Sequence, residues 1–172
     1  MADEPDAVEL APPPALDALL DRWEAAWSGH DASAFAPLCE REVQYEDPFA
    51  SAPLIGADEL AAHAERLWAG FPDVRVERAG ERLADRGGRF FAAPCKLAGT
   101  HRGPLDGLPP TRRFVVVHAV VCGELRAGRL LRVRAFLDRW DAAVQLGVLP
   151  ASGTLGERAL MMIRGFGLRA RG

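Results

Sequence analysis

Few side chains in this sequence have a type and a placement suited to chemistry. Asp47 ends the alternating segment VQYED, which puts Val43, Tyr45 and Asp47 on one face of a predicted strand. A carboxylate beside an apolar cavity can take a proton from a carbon next to a carbonyl, and desolvation is expected to raise its pKa toward a useful range. The structural alternative is that Asp47 caps a loop amide at the end of the strand.

Histidine supplies the other candidate donors and bases. His118 lies in the apolar run FVVVHAVVC, where it either faces a substrate or is a satisfied core residue. His101 ends the segment GTH and either lines a cavity mouth or anchors a loop. His63 falls on the apolar face of a predicted helix, as a ligand contact or a buried structural residue, and His30 in a turn. Because the four histidines are scattered and no phosphate-binding glycine loop occurs, we expect no metal and no cofactor.

The aromatic residues form a third group of candidates. Each of them has the spacing of an ordinary core residue. Taken as a set, they predict the wall of a pocket for a flat, ring-bearing ligand. The members are Trp23, Trp27, Tyr45, Trp68, Phe71 and Phe136.

The elements that must position these residues follow from the apolar periodicity. Helices are predicted at about 16–29, in a short segment near 31–39, and at 57–70. Gly87–Gly88 and Gly128 mark hairpin turns. Strands are predicted at 43–47, 74–84, 88–101, 112–123 and 129–138.

This order of elements predicts an α+β fold. We expect a cone-shaped half-barrel in which a curved antiparallel sheet packs against three N-terminal helices. The cavity between the two layers is then the expected site for a small ligand. We predict a disordered arm at 1–14, the domain at 15–150 and an amphipathic tail at 151–172.

Composition narrows the class of partner. The 172 residues are 49% hydrophobic, which fits one domain with a proper core. The 21 basic and 24 acidic residues form no basic block, so we expect no nucleic-acid partner, and no apolar run is long enough to span a membrane. The N-terminus is acidic and proline-rich, unlike a signal peptide, and Cys39, Cys95 and Cys122 are far apart. We therefore expect free thiols and a cytoplasmic protein.

Three segments carry a family resemblance. The segment RWEAAWSGHDASAFAPLCEREVQYEDPFASAPLIG resembles the opening of the nuclear transport factor 2-like superfamily, which includes the ketosteroid isomerases. The segments GTHRGPLDGLPPTRRF and DRWDAAVQLGVLP resemble the SnoaL-like polyketide cyclase branch. The resemblance covers about residues 15–150. It implies the half-barrel fold, a small apolar or polycyclic ligand, and a homodimer formed through the sheet.

The resemblance also implies roles for individual residues. The triplet Glu46-Asp47-Pro48 is similar to the general-base position of ketosteroid isomerases. The two enolate-binding positions of those enzymes correspond to Trp23 and to the neighbourhood of His118. In the last strand, LRVRAFLD resembles the segment where cyclases place an acidic residue, and Ala135 takes that position here.

Three hypotheses follow. The first is a cyclase- or isomerase-like enzyme that moves a proton next to a carbonyl. In it Asp47 is the base, His118 polarises the carbonyl together with Trp23 or Tyr45, and His101 is a further catalytic candidate. The second is a binding module that uses the same cavity without chemistry, which Ala135 and Trp23 favour because they replace chemically capable residues. The third is an interaction domain in which the exposed sheet face serves only assembly, and a cavity filled by its own side chains would favour it.

Overall fold

The computed structural model describes residues 14–163 and has a helical layer against a curved sheet. The helical elements are α1 (Pro14–Gly29), a 3-10 turn (Ala32–Ala34), α2 (Phe35–Leu38), α3 (Ala57–Gly70), α4 (Arg139–Gln145) and α5 (Leu155–Ile163). The strands are β1 (Cys39–Glu46), β2 (Leu54–Ile55), β3 (Arg75–Arg78), β4 (Leu83–Ala84), β5 (Phe90–Thr100), β6 (Phe114–Arg126) and β7 (Arg129–Leu137). Within residues 14–163, no helix is long and apolar enough to cross a membrane.

The sheet has the strand order β2-β1-β7-β6-β5-β3, with β4 also pairing with β5. The α+β class and the curved, unclosed sheet agree with the prediction. The expectation of a wholly antiparallel sheet is wrong in one place, because β1 runs parallel to β7. Parallel neighbours need a long connection, and here every element from β2 to β6 lies between the two strands along the chain.

Strand alternation separates the two faces of the sheet. On β6, Val115, Val117 and Ala119 are buried toward the helices, while His118 and Val120 are exposed on the opposite face. The helix-facing side carries the core, and α1 contributes the largest apolar stripe to it through Leu16, Leu19, Leu20, Trp23, Ala26 and Trp27.

The predicted strand at 74–84 is interrupted. It divides into β3 and β4, and Arg82, which lies between them, contacts α1. Its guanidinium Nη1 lies 2.7 Å from both Asp17 Oδ1 and Asp21 Oδ1, and its Nη2 lies 2.9 Å from Glu24 Oε1. Arg82, predicted as part of a strand, is therefore a fully buried link between the two layers.

Helix α4 closes one end of the layered structure. Strand β7 pairs with β6 only from Ala119 onward, which leaves the backbone of Val116 without a strand partner on that side. The side chain of Gln145 fills this position, since its Nε2 donates to Val116 O and its Oε1 accepts from Val116 N, both at 2.8 Å. These two bonds hold α4 against the sheet edge.

The described residues cover the predicted domain and part of its predicted C-terminal tail. Helix α1 already begins at Pro14, and residues 1–13 of the predicted arm lie outside the described residues. The predicted tail includes α5, whose apolar side chains Leu155, Met162 and Ile163 are exposed. The rest of the tail, with Phe166, lies outside the described residues.

Candidate functional site

A cavity lies between the sheet and the helices and has two adjoining compartments. The Asp47 compartment is the smaller and the Trp68 compartment the larger, and both are partly open to solvent. They share the wall residues Trp27, Phe49, Leu67, Val76, Leu97 and Leu137. The two compartments are therefore neighbours along one wall of the sheet.

The two compartments differ in chemistry. The Trp68 compartment is lined by apolar residues alone, among them Trp68, Phe71 and Leu105. The Asp47 compartment adds Tyr45, Asp47 and Cys95 to an otherwise apolar wall. Among residues 14–163, Asp47 is the only carboxylate that lines either compartment.

Asp47 is held in place by four donors. It follows the last residue of β1, where the chain turns, and its Oδ1 accepts from the backbone N–H groups of Phe49 (2.8 Å) and Ala50 (2.9 Å). Its Oδ2 accepts from the Tyr45 hydroxyl at 3.1 Å and lies 2.7 Å from His63 Nε2. Asp47 therefore caps loop amides, as the structural alternative predicts, and it also lines the cavity.

The pKa of Asp47 is shifted in the opposite direction from the one expected. Burial raises the pKa of Asp47, but the hydrogen bonds from His63, the Phe49 amide and the Tyr45 hydroxyl together hold the pKa below 3.8. The expected upward shift is wrong, since hydrogen bonds to the charged form outweigh desolvation. Burial, and then the charge of Asp47, raise the pKa of Tyr45 well above 10, so Tyr45 keeps its proton.

His63 owes its position to α3. It lies on the same helical stripe as Leu60 and Ala64, all of them buried, and the stripe faces the end of β1. The side chain is 1% exposed and contacts the carboxylate of Asp47 without lining either compartment. The structure thus places His63 behind Asp47 rather than against a ligand.

His118 and Phe136 do not reach the cavity. Strand alternation turns both side chains to the outer face of the sheet, where they are exposed. Their neighbours Ala119, Ala135 and Leu137 face inward instead. The assignments of His118 as a donor in the cavity and of Phe136 as a wall residue are therefore wrong by one position in each strand.

His101 lies outside the lining of both compartments. Its side chain is completely buried, its ring is 5.0 Å from that of Phe71, and its Nδ1 accepts from Thr111 N at 3.1 Å. Burial lowers the pKa of His101 below 6.5, while the backbone of Gly103 raises it by less. These contacts fit the loop-anchoring alternative, in which His101 fastens the segment that follows β5.

The remaining aromatic candidates come together. Trp23 and Tyr45 line the Asp47 compartment, Trp68 and Phe71 line the Trp68 compartment, and Trp27 lines both. The ring centroids of Trp27 lie 6.1 Å from Tyr45 and 6.0 Å from Trp68. The described residues contain no group of three or more metal-binding side chains.

Two cavity features were missed from the sequence. Phe49 lines both compartments from the loop after Pro48, and a large apolar residue in a polar loop was the available signal. The contact between Asp47 and His63 had no sequence signal, because it depends on how the intervening loop returns α3 to the end of β1.

Comparison with solved structures identifies the fold. A proposed SnoaL-like polyketide cyclase from Jannaschia sp. CCS1 superposes with a TM-score of 0.70 at 19% identity, covering 86% of this chain and 100% of that one. AclR, a proposed hydroxylase from Streptomyces galilaeus, gives 0.68 at 21% identity, with coverage of 87% and 92%. A protein of ketosteroid isomerase-like fold from Catenulispora acidiphila DSM 44928, in complex with trimethylamine, gives 0.63 at 21% identity, with coverage of 84% and 99%.

Comparison of sequences identifies the family. No curated protein sequence matches the chain. The sequence profile of the SnoaL-like polyketide cyclases matches residues 17–146, which include both layers of the fold and every residue of the cavity wall. The chain belongs to the SnoaL-like polyketide cyclase family.

Proposed function

We propose that this protein is a cofactor-free enzyme that moves a proton at a carbon next to a carbonyl in an apolar, ring-bearing substrate of the polyketide type. One observation carries the proposal. Among the described residues, Asp47 is the only carboxylate that lines the cavity. Its Oδ2 accepts a hydrogen bond from the hydroxyl of Tyr45, which lines the same compartment. A base and a hydroxyl donor side by side are the two groups that enolisation needs.

The weakness of Asp47 as a base limits which substrates it can deprotonate. The low pKa of Asp47 makes it a weak base, and a weak base removes protons efficiently only from carbons that are already acidic. A methylene between two carbonyl groups meets this condition, and a simple ketone meets it poorly. A poly-β-carbonyl chain or a ring that contains a β-dicarbonyl unit is therefore the substrate class that suits Asp47.

Tyr45 is the group that can respond when the proton moves. At 3.1 Å its hydroxyl makes the longest of the four bonds to Asp47. As Asp47 Oδ2 takes the proton from carbon, the electron pair of the C–H bond passes to the carbonyl oxygen. The Tyr45 O–H then turns from Asp47 to this enolate oxygen, and it stays neutral because its own pKa is high. Return of the proton to a different carbon completes an isomerisation or prepares a ring closure.

The apolar wall of the cavity excludes water and holds the substrate. Trp23, Trp27 and Phe49 around the Asp47 compartment exclude water and offer flat surfaces to a ring system. The Trp68 compartment extends this surface away from the carboxylate, so the ends of a long substrate are held while one carbon is presented to Asp47.

The proposal is tested by deuterium uptake in D₂O, followed by mass spectrometry on a panel of cyclic β-dicarbonyl compounds and simple cyclic ketones. Asp47→Asn removes the base, and Glu46→Gln is the matched control, because Glu46 pairs with Arg134 outside the cavity wall. We expect catalysed uptake into the β-dicarbonyl compounds with the wild type and the control, and none with Asp47→Asn. Uptake that persists in Asp47→Asn would show that another group is the base.

Tyr45→Phe separates the roles of the two groups. It removes the hydroxyl but leaves the aromatic ring in the wall. We expect uptake to fall by about 100-fold, within the range measured for loss of one preorganised donor. Deuterium uptake by Tyr45→Phe at the same rate as by the wild type would contradict the assignment of Tyr45 as the enolate donor.

A binding module is the second candidate. It is favoured by Ala135, which lines the Asp47 compartment at the position where the family resemblance implies an acid. It is also favoured by Asp47 itself, whose two oxygens already have four donors. Compounds that raise the melting temperature without any deuterium uptake would support this candidate over the enzyme.

We also propose that the protein works as a homodimer in the cytoplasm. On the outer face of the sheet, the exposed residues Val120 and Phe136 pair across β6 and β7 and form an apolar patch, and exposed apolar patches mark protein interfaces. Phe90 and Phe114 are exposed toward the two ends of the β5–β6 ladder. The cysteines Cys39, Cys95 and Cys122 are free thiols, which fits a reducing compartment.

A further inference from the structure

Arg66 contacts the side of His63 that is turned away from Asp47. The two residues are three positions apart on α3, a spacing that brings side chains together on one helix face. Arg66 Nη2 lies 2.8 Å from His63 Nδ1, and His63 Nε2 lies 2.7 Å from Asp47 Oδ2. A continuous line of polar contacts therefore runs from Arg66 through the imidazole to the carboxylate in the cavity.

The hydrogen-bonding capacity of Arg66 determines which ring nitrogen of His63 carries the proton. A guanidinium group can only donate, so His63 Nδ1 must accept from Arg66. The neutral imidazole then carries its proton on Nε2 and donates it to Asp47. Either the opposite tautomer or the doubly protonated ring would set an N–H of His63 against an N–H of Arg66.

Arg66 is itself held by contacts with two segments that carry residues of the cavity wall. Its Nη2 also donates to Phe49 O at 3.4 Å, and its Nε lies 3.9 Å from Asp106 Oδ1. Asp106 follows Leu105, which lines the Trp68 compartment. Arg66 thus lies between two segments, one of which carries the wall residue Phe49 and the other the wall residue Leu105.

The loop that carries Leu105 and Asp106 is docked firmly on α3. The backbone N–H groups of Arg102 and Gly103 donate to Gly70 O at 2.9 and 3.0 Å, at the end of the helix. A Cβ atom at Gly103 would overlap the carbonyl of Ala69, so only glycine permits this approach. The position of Asp106 beside Arg66 is therefore set by the fold rather than by the loop alone.

We propose that Arg66 is a positioning residue that holds His63 in the neutral form protonated on Nε2 and so aims its N–H at Asp47. The charged and titratable groups that contact His63 are Asp47 and Tyr45 from the end of β1 and Arg66 from its own helix. The tautomer assignment is independent of any reaction. Its effect on rate rests on the proposed function, in which an oriented and ionised Asp47 is the base.

The first test reads the tautomer directly. ¹⁵N spectra of histidine-labelled protein at pH 7.5 are compared for wild type, Arg66→Met and Arg66→Lys, with His63→Gln used to assign the signals. Methionine cannot donate, whereas lysine, like arginine, can only donate. We expect one fixed tautomer, with widely separated ring-nitrogen shifts, in wild type and Arg66→Lys. In Arg66→Met we expect the two shifts to move toward each other.

The control is Arg102→Met. Arg102 lies in the same loop as Asp106, but its side chain is paired with Asp73, 3.5 Å away. We expect the His63 spectrum of this variant to match that of the wild type. The side chain of Arg66 is 50% exposed, so its replacement is compatible with folding. Unchanged His63 shifts in folded Arg66→Met would overturn the proposal.

Deuterium uptake by the same variants tests the effect on rate. We expect kcat to fall about tenfold in Arg66→Met with little change in KM, and Arg66→Lys to recover part of the loss, as for other residues that orient a functional group from behind. A normal kcat in Arg66→Met with altered shifts would overturn the catalytic part alone. Altered shifts with no uptake in any protein, wild type included, would uphold the tautomer assignment and reject the proposed function.

Discussion

His63 Nε2 lies 2.7 Å from Asp47 Oδ2, and this contact joins the middle of α3 to the end of β1. Both side chains are almost fully buried, at 1% and 4% exposure. The bond therefore contributes to stability, because a buried carboxylate without its donors is costly.

Asp47→Asn should change the stability of the protein in a pH-dependent way. The pKa of Asp47 in the folded protein is lower than its ordinary 3.8, so folding favours the ionised form. The stabilisation is fully present above about pH 4 and is lost as the pH falls through the folded-state pKa. Urea unfolding at pH 7 should show Asp47→Asn less stable by about 2 kcal/mol, the usual worth of hydrogen bonds to a charged group.

The difference in the free energy of unfolding between wild type and Asp47→Asn should shrink as the pH falls below about 4. Glu46→Gln serves as the control, since the Glu46 pair with Arg134 is solvent-exposed and such pairs contribute at most about 1 kcal/mol. A difference between wild type and Asp47→Asn that stays constant from pH 7 to pH 3 would contradict the low pKa of Asp47.

His101→Gln should remove a different part of the pH dependence. The pKa of His101 in the folded protein is below 6.5, chiefly because of burial, so the unfolded chain binds a proton more readily than the folded one. The wild type should therefore lose stability as the pH falls below about 6.5, and His101→Gln should lose less over the same range. Glutamine keeps an acceptor for the Thr111 amide. Parallel stability curves for the two proteins from pH 7.5 to pH 5 would contradict the prediction.

Much of the fold could be predicted from the sequence because local periodicity determines it. The stripe from Leu16 to Trp27 gave α1, and Gly128 gave the β6–β7 hairpin, where Ala127 and Gly128 both have positive φ. The parallel pairing of β1 with β7 could not be predicted this way, because it joins strands from opposite ends of the domain. The burial of Arg82 likewise depends on α1, which is distant in the sequence.

The candidate site was predictable in its residue types but less so in its geometry. Asp47 and Tyr45 were found because they share one face of a short strand. His118 was assigned from the family resemblance and Phe136 from its aromatic type. Alternation could not correct either assignment, because both faces of β6 and β7 carry apolar residues and the pattern does not reveal which face is inward. The lowered pKa of Asp47 follows from hydrogen-bond partners that only the three-dimensional structure brings together.

Arg82→Met should destabilise the protein far more than Arg78→Met. The Arg82 side chain is fully buried and lies within 2.9 Å of three carboxylates of α1; after its removal Asp21 and Glu24 lose this cation, while Asp17 keeps Arg78 at 3.7 Å. Because Asp17 and Asp21 are 36% and 66% exposed, the cost is that of lost hydrogen bonds to charged groups, about 2 kcal/mol. Arg78 is 41% exposed and lies 3.7 Å from Asp17, so its loss should cost less than about 1 kcal/mol. Equal midpoints of urea unfolding for the two variants would refute this distinction.

Val120→Arg should weaken the proposed homodimer. Val120 is exposed on the outer face of β6 and pairs in register with Phe136, so an arginine there places a charge within the apolar patch of the sheet. Burying that charge at an interface between two copies is costly, and we expect the dimer dissociation constant to rise at least tenfold. Leu155→Arg is the control, because Leu155 is 81% exposed but belongs to α5. Light scattering coupled to size-exclusion chromatography should show a dimer for wild type and Leu155→Arg and a monomer for Val120→Arg. A monomeric wild type, or a Val120→Arg variant that remains dimeric, would rule out the outer face of the sheet as the dimer interface.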